Sequence, residues 1–277
     1  MKSQQDTTSV SQSVPQKGKD IRKRRGINLF LKIILPITIL VGLWQLVAIL
    51  SGTSIVEVVE AFVRLSIEGD SEGHLLIDHV RMSLFRVVLG FLTAIITAIP
   101  IGIAIGRYQL INDIFGPVVD AMRPIPPIAW IPLSILMFRA NLIGSQVFII
   151  WIGAFFPILI NTTTGVRRTE PVHVDVAKTF GASETQILSK IVIPSAGPEI
   201  FAGFRIGFGI GWMCLVASEM IGGGLGLGYL VLIMQQVGRT GEVISAMLLI
   251  GLIGFLISYV FLIIEKNLLK WRQDVSV

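Results

Sequence analysis

Long runs without one charged residue alternate along this chain with short polar stretches. Ile33 to Val56, Val87 to Gly106, Ala140 to Val166 and Val243 to Ile264 contain no Asp, Glu, Lys or Arg. Each holds about the twenty residues that a helix rising 1.5 Å per residue needs to cross a hydrocarbon core of roughly 30 Å. Two further stretches are apolar but interrupted: Ile114 to Phe138 contains Asp120 and Arg123, and Ile200 to Ile221 contains Arg205 and Glu219. The pattern therefore predicts an all-α polytopic membrane protein with about six transmembrane helices.

Between the fourth and fifth predicted spans lies a charged, helix-competent stretch, DVAKTFGASETQILSKIVIP, from Asp175 to Pro194. Pro171 suits the first turn of a helix, and Val172, Val176 and Phe180 follow at i, i+4 and i+8 as one apolar stripe, with Asp175 and Lys178 off it. Gly181 fits a helix C-cap. Ser183 and Gln186 have capping-box spacing and start a second short helix carrying Ile187, Leu188 and Ile191 before Pro194. The prediction over 170–195 is helix, glycine turn, helix.

The third predicted span reads RPIPPIAWIPL, with prolines at 124, 126, 127 and 132. Proline removes a helix hydrogen bond, and irregular backbone at membrane depth must be buried in protein or line a wet cavity. Arg123, Pro126 and Trp130 are therefore candidates for a solute path, the alternative being a kinked structural helix. Arg205 and Glu219 are fourteen residues apart, about 21 Å along a helix, so they cannot pair with each other. A charge in the bilayer must face protein or water. Either both snorkel to the interfaces, or Glu219 belongs to an outer gate and Arg123 or Arg205 attracts an anion near the inner end. The run GGGLGLG from Gly222 to Gly228 follows no strand and does not fit a dinucleotide loop, leaving a flexible outer turn or gate.

Composition agrees with a membrane class: 53% of residues are hydrophobic and 15% charged, where soluble domains carry about 25% charged, and mean hydropathy is +0.77. The net charge of +5 is unevenly placed. Lys17, Lys19, Arg22, Lys23, Arg24 and Arg25 precede the first span; Lys266, Lys270 and Arg272 follow the last; Arg107, Arg167, Arg168, Lys178 and Lys190 fall on the same side. By the positive-inside rule both termini face the cytoplasm. The expected organisation is a disordered cytoplasmic tail at 1–28, a first transmembrane helix at 29–52 and an acidic extracytoplasmic segment at 53–83. A core follows at 84–265 with the 170–195 element inside it, then a cytoplasmic tail at 266–277. The basic residues flank spans without interleaved aromatics, which argues for a lipid bilayer and against nucleic acid.

Enzyme chemistry is poorly supported. Cys214 is the only cysteine, so no intrachain disulfide or thiolate metal cluster can form. His74, Asp78 and His79 are too few and too loosely spaced for zinc and read as a solvated loop face. The one Gly-Lys pair, Gly18-Lys19, is followed by Asp20, so no P-loop is present. No cofactor is expected on this chain, and if transport is powered the motor must be another subunit.

The stretch from Asp175 to Pro194 resembles the cytoplasmic signature of ABC importer permeases, E-A-A-x-x-x-G-x(9)-I-x-L-P. Asp175, Val176, Ala177, Gly181, Ile191, Ile193 and Pro194 fall on it, with Asp175 in place of Glu, Val176 of the first Ala and Ile193 of Leu. From about Met82 to Trp271, RPIPPIAWIPLSILMF, GAFFPILINT and VASEMIG resemble the nitrate, sulfonate, taurine and bicarbonate branch. Arg139-Ala140-Asn141 departs from the glycine-containing turn expected there. The resemblance implies a type I importer permease in the cell membrane. A second copy would complete the path as a homodimer, two cytoplasmic P-loop ATPases would take up Val172, Phe180 and the signature residues, and an extracytoplasmic binding protein would deliver a small anion. A self-sufficient secondary transporter or channel, or an importer of a neutral heterocyclic compound, are the alternatives.

Overall fold

The computed structural model describes residues 52–139 and 141–268, with a few isolated positions before 52. The expected tail at 1–28, nearly all of the expected first span at 29–52 and positions 269–277 lie outside the described residues. Within them the chain is helical and contains no strand. The order is α1 (Ile55–Ile67), α2 (Leu76–Arg107), α3 (Gln109–Met122), a 3-10 turn (Pro127–Trp130), α4 (Ile131–Met137), α5 (Leu142–Arg167), α6 (Pro171–Thr179), α7 (Glu184–Ile187), a π turn (Leu188–Val192), α8 (Ile193–Gly222), α9 (Leu227–Gln236) and α10 (Thr240–Leu268).

Among the described residues, four stretches are long and apolar enough to cross a membrane: α2, α5, the continuous helix Glu184–Gly222 and α10. The segment expected to be an extracytoplasmic connection at 53–83 is largely helical, holding α1 and the first turns of α2. The expected third span is not one helix. It divides into α3, the 3-10 turn and α4, because Pro124, Pro126 and Pro127 cannot continue the α3 hydrogen-bond ladder. α9 is a short apolar helix that the charge pattern hid inside a glycine-rich connection.

α5 lies between α2 and α8, and small residues allow that approach. A Cβ on Gly90 of α2 would sit 2.7 Å from the Ile150 side chain, and one on Gly102 would sit 2.9 Å from the Leu159 carbonyl oxygen. On α8, Gly203 and Gly207 would meet Asn161 at 2.9 Å and the Ala154 carbonyl oxygen at 3.0 Å. Helices in lipid lack a hydrophobic force between them, so this close backbone contact and its dispersion energy hold them together. α10, whose most hydropathic window has no buried residue, joins α1 near its own start: Arg64 donates to the buried Glu242 at 2.7 Å and Ser245 Oγ donates to the Val58 carbonyl at 2.7 Å.

Candidate functional site

The 170–195 element folds locally as its residue types dictate. Pro171 occupies the first turn of α6, where its missing N–H costs nothing. The helix closes in a Schellman arrangement: Gly181 adopts φ +77, its N–H donates to the Lys178 carbonyl at 2.9 Å, and the Ala182 N–H donates to the Ala177 carbonyl at 3.0 Å. Ser183 then caps α7, its hydroxyl accepting from the Gln186 N–H while the Gln186 side chain accepts from the Ser183 N–H at 2.9 Å.

Pro194 does not end the second helix. It occupies the first turn of α8, and the helix runs without a break from Glu184 to Gly222 over 39 residues. The wider π turn at Leu188–Val192, immediately upstream, accommodates the proline ring and its missing donor. Ile191, Ile193 and Pro194 therefore belong to the base of a long helix of about 58 Å, longer than a hydrocarbon core.

α6 shows different faces. Val174 and Ala177 pack onto a small core of Val166, Ile187, Val192, Ala196 and Ile200. Val172, Val176 and Phe180 remain 66%, 50% and 86% exposed, an apolar stripe with nothing over it among the described residues. Asp175 is exposed, off the stripe, and lines a cavity with Lys178, Arg107 and Arg167.

The candidate path residues do not form one site. Arg123 lines a polar cavity of about 160 Å³ with Asn112, Asp120, Thr163, Thr164 and Arg167. Trp130 lines an adjoining, wholly apolar cavity of about 520 Å³ between α2, α3 and α5, with Phe115, Phe148, Trp151 and Phe155; Ile105, Val119 and Leu159 border both cavities. Pro126 is exposed in the turn after α3. Arg205 faces Glu265 of α10 at 3.4 Å.

Glu219 is placed differently from a gate residue lining a path: its side chain has no exposed surface. It accepts from Ser83 Oγ at 2.8 Å, from an Arg86 guanidinium N–H at 2.9 Å and from the Gly228 N–H at 2.9 Å. Arg86 also donates to the Leu225 carbonyl, and Ser83 Oγ accepts from the Leu227 N–H at 2.9 Å. The network reaches His79, which is fully buried in α2 and not on the solvated loop face expected for it; its Nδ1 accepts from the Gly226 N–H at 3.1 Å and its Nε2 is 3.0 Å from Asp70. Gln146 of α5 also donates to the Gly223 carbonyl at 3.2 Å, so the Gly222–Gly228 run is pinned by five side chains from α2, α5 and α8, instead of swinging free as a flexible turn. Burial raises the Asp70 carboxyl, but the N–H groups of His74 and Glu72 and the His79 side chain outweigh it and hold the acid below its ordinary 3.8.

Sequence reading missed Arg86 and Ser83. The charge-free run began at Val87, so Arg86 looked like a span boundary, whereas α2 starts eleven residues earlier at Leu76. The available signal was an intramembrane Glu219 in need of a cation. Asp70, Glu72 and His74 bring one donor atom each within 4.8 Å. Asp70 Oδ1 already accepts from the Glu72 and His74 N–H groups, however, so the cluster is an ordinary turn.

Residues 98–273 match the model of the family described as binding-protein-dependent transport system inner membrane component. Similar proteins include an ABC transporter permease protein of Methanocaldococcus jannaschii, 42% identical over 89% of this chain and 93% of that one. The taurine transport system permease protein TauC of Escherichia coli is 33% identical over 72% of each chain. The nitrate import permease protein NrtB of Leptolyngbya laminosa is 34% identical, covering 79% of this chain and 81% of that one. Among solved structures, an inward-facing form of the MetNI methionine ABC transporter superposes with a TM-score of 0.60 at 18% identity, covering 70% of this chain and 95% of that chain.

Proposed function

Because the chain belongs to the family of binding-protein-dependent transport system inner membrane components, and so is the membrane-spanning permease of an ABC importer and not an enzyme, we propose how it assembles and what it carries. Two copies enclose the path, because six spans are few for a complete alternating-access route and transporters commonly build one from two related halves. Both termini face the cytoplasm, as the distribution of Lys and Arg supports. α6 and its glycine turn dock into two ATPase subunits that bind ATP and magnesium. An extracytoplasmic binding protein delivers the solute.

The observation that carries this reading is the exposed stripe of Val172, Val176 and Phe180 on a helix opened by Pro171, closed by the Gly181 turn and anchored by Val174 and Ala177. Exposed apolar side chains grouped on an otherwise polar element mark a protein or membrane contact, and the resemblance of this stretch to the importer signature favours a protein. The cargo class is a small anion. Relatives named for taurine and nitrate support it, as does Arg123 in a polar cavity with Asn112, Thr163 and Thr164.

Intact mass measurement of the solubilised complex tests the assembly: two copies of this chain with two P-loop ATPases are expected, and a single copy without a related companion contradicts it. Uptake by vesicles supplied with the binding protein tests the cargo class. Competition by nitrate, bicarbonate or alkanesulfonates is expected; indifference to all of them, with uptake of a neutral compound, contradicts it.

A further inference from the structure

The side of α6 carrying Pro171, Val174, Asp175 and Lys178, at i, i+3, i+4 and i+7, borders a cavity of about 360 Å³ between the ends of α2 and α5 and the π turn. Its charged lining is Arg107, Arg167 and Lys178 against the single carboxylate of Asp175. Thr169, in the link between α5 and α6, also lines it; only 9% of this residue is exposed, and its buried hydroxyl has no hydrogen-bond partner. A buried hydroxyl left unpaired costs about 1 to 3 kcal/mol, so such a group beside three cations points to an oxyanion that would accept from it.

We propose that this cavity binds the phosphate group of an anionic ligand. Arg107 uses one guanidinium nitrogen on Glu184 at 2.8 Å and Arg167 uses one on Asn112, which leaves further N–H groups on each fork. Lys178 adds a point charge and Thr169 a neutral donor, the mixed donor set that phosphate oxygens accept. Two sources share this chemistry. The cavity lies where the apolar helices α2 and α5 end at Arg107 and Arg167, a depth suited to an anionic lipid headgroup, and it is also of a size for a small soluble phosphate. Either ligand would tie α6 to the ends of α2 and α5 from the side away from the Val172, Val176 and Phe180 stripe. The site is independent of what docks on that stripe.

The test uses the purified full chain. Native mass spectrometry compares retention of phosphatidylglycerol with phosphatidylcholine, and thermal unfolding compares inorganic pyrophosphate with chloride at equal ionic strength. Preferential retention of phosphatidylglycerol alone identifies a headgroup site; a saturable upward shift with pyrophosphate identifies a soluble phosphate. In either case Thr169→Val weakens binding by about tenfold, or 1.4 kcal/mol, without destabilising the unliganded protein. Lys178→Gln weakens it as well, whereas Arg168→Gln, which removes a neighbouring cation paired with Glu199 and off the cavity, leaves it unchanged. Binding of neither probe to the unaltered chain, or an equal loss in Arg168→Gln, overturns the proposal.

Discussion

The guanidinium of Arg86 on α2 lies 2.9 Å from the carboxylate of Glu219 on α8, and only 3% and 0% of the two side chains is exposed. They are 133 residues apart in sequence, and the loop from Gly222 to Gly228 is hydrogen-bonded to both ends of the pair. The contact therefore fastens two membrane spans and the connection to α9 at one point.

Removing one partner from a buried ion pair leaves a desolvated charge and costs about 3 to 5 kcal/mol. Arg86→Met is expected to lower thermal stability in detergent by that order. Adding Glu219→Gln should restore a substantial part, because the neutral amide oxygen still accepts from Ser83 while no bare carboxylate remains. Effects of the two substitutions that simply add would contradict the coupling.

Asp70 sets a pH dependence. Its folded-state acidity is stronger than the ordinary value of 3.8, so its contribution to stability is fully present above that value. It is lost as the pH falls below 3.8 through the folded-state value. Unfolding midpoints between about pH 6 and pH 3 should fall less steeply in Asp70→Asn than in the unaltered chain. Equal slopes would contradict the assignment.

Arg139 adopts φ +45, the one positive φ outside glycine among the described residues. Holding a residue with a Cβ there costs about 1 to 2 kcal/mol. Arg139→Gly should raise the thermal midpoint by the equivalent of about 1 kcal/mol, and Arg139→Val should lower it. A destabilised glycine variant would show that the arginine side chain compensates the strain.

What the sequence made legible followed local rules. The Pro171 start, the Gly181 turn and the Ser183 capping box form where spacing alone put them, because each rests on neighbours within a few residues. Arg139 was visible only as the absence of an expected glycine. Pro194 was misread as a stop, since a π turn that relieves it leaves no composition signal. The Arg86–Glu219 pair and the Thr169 cavity join segments far apart in the chain, and hydropathy reports how deep a residue sits, not whom it meets.

The central claim is that α6 and its turn couple this chain to its ATPase, and Gly181 tests it most directly. A Cβ at Gly181 would meet no atom within 4 Å, so Gly181→Val acts through backbone conformation alone, at a cost of about 1 to 2 kcal/mol. That leaves the spans inserted while tilting Val172, Val176 and Phe180 away from their partner. ATPase copurification and solute uptake, measured at equal membrane abundance of the variant and unaltered chains, are both expected to collapse. Retention of the ATPase together with normal uptake would contradict the account.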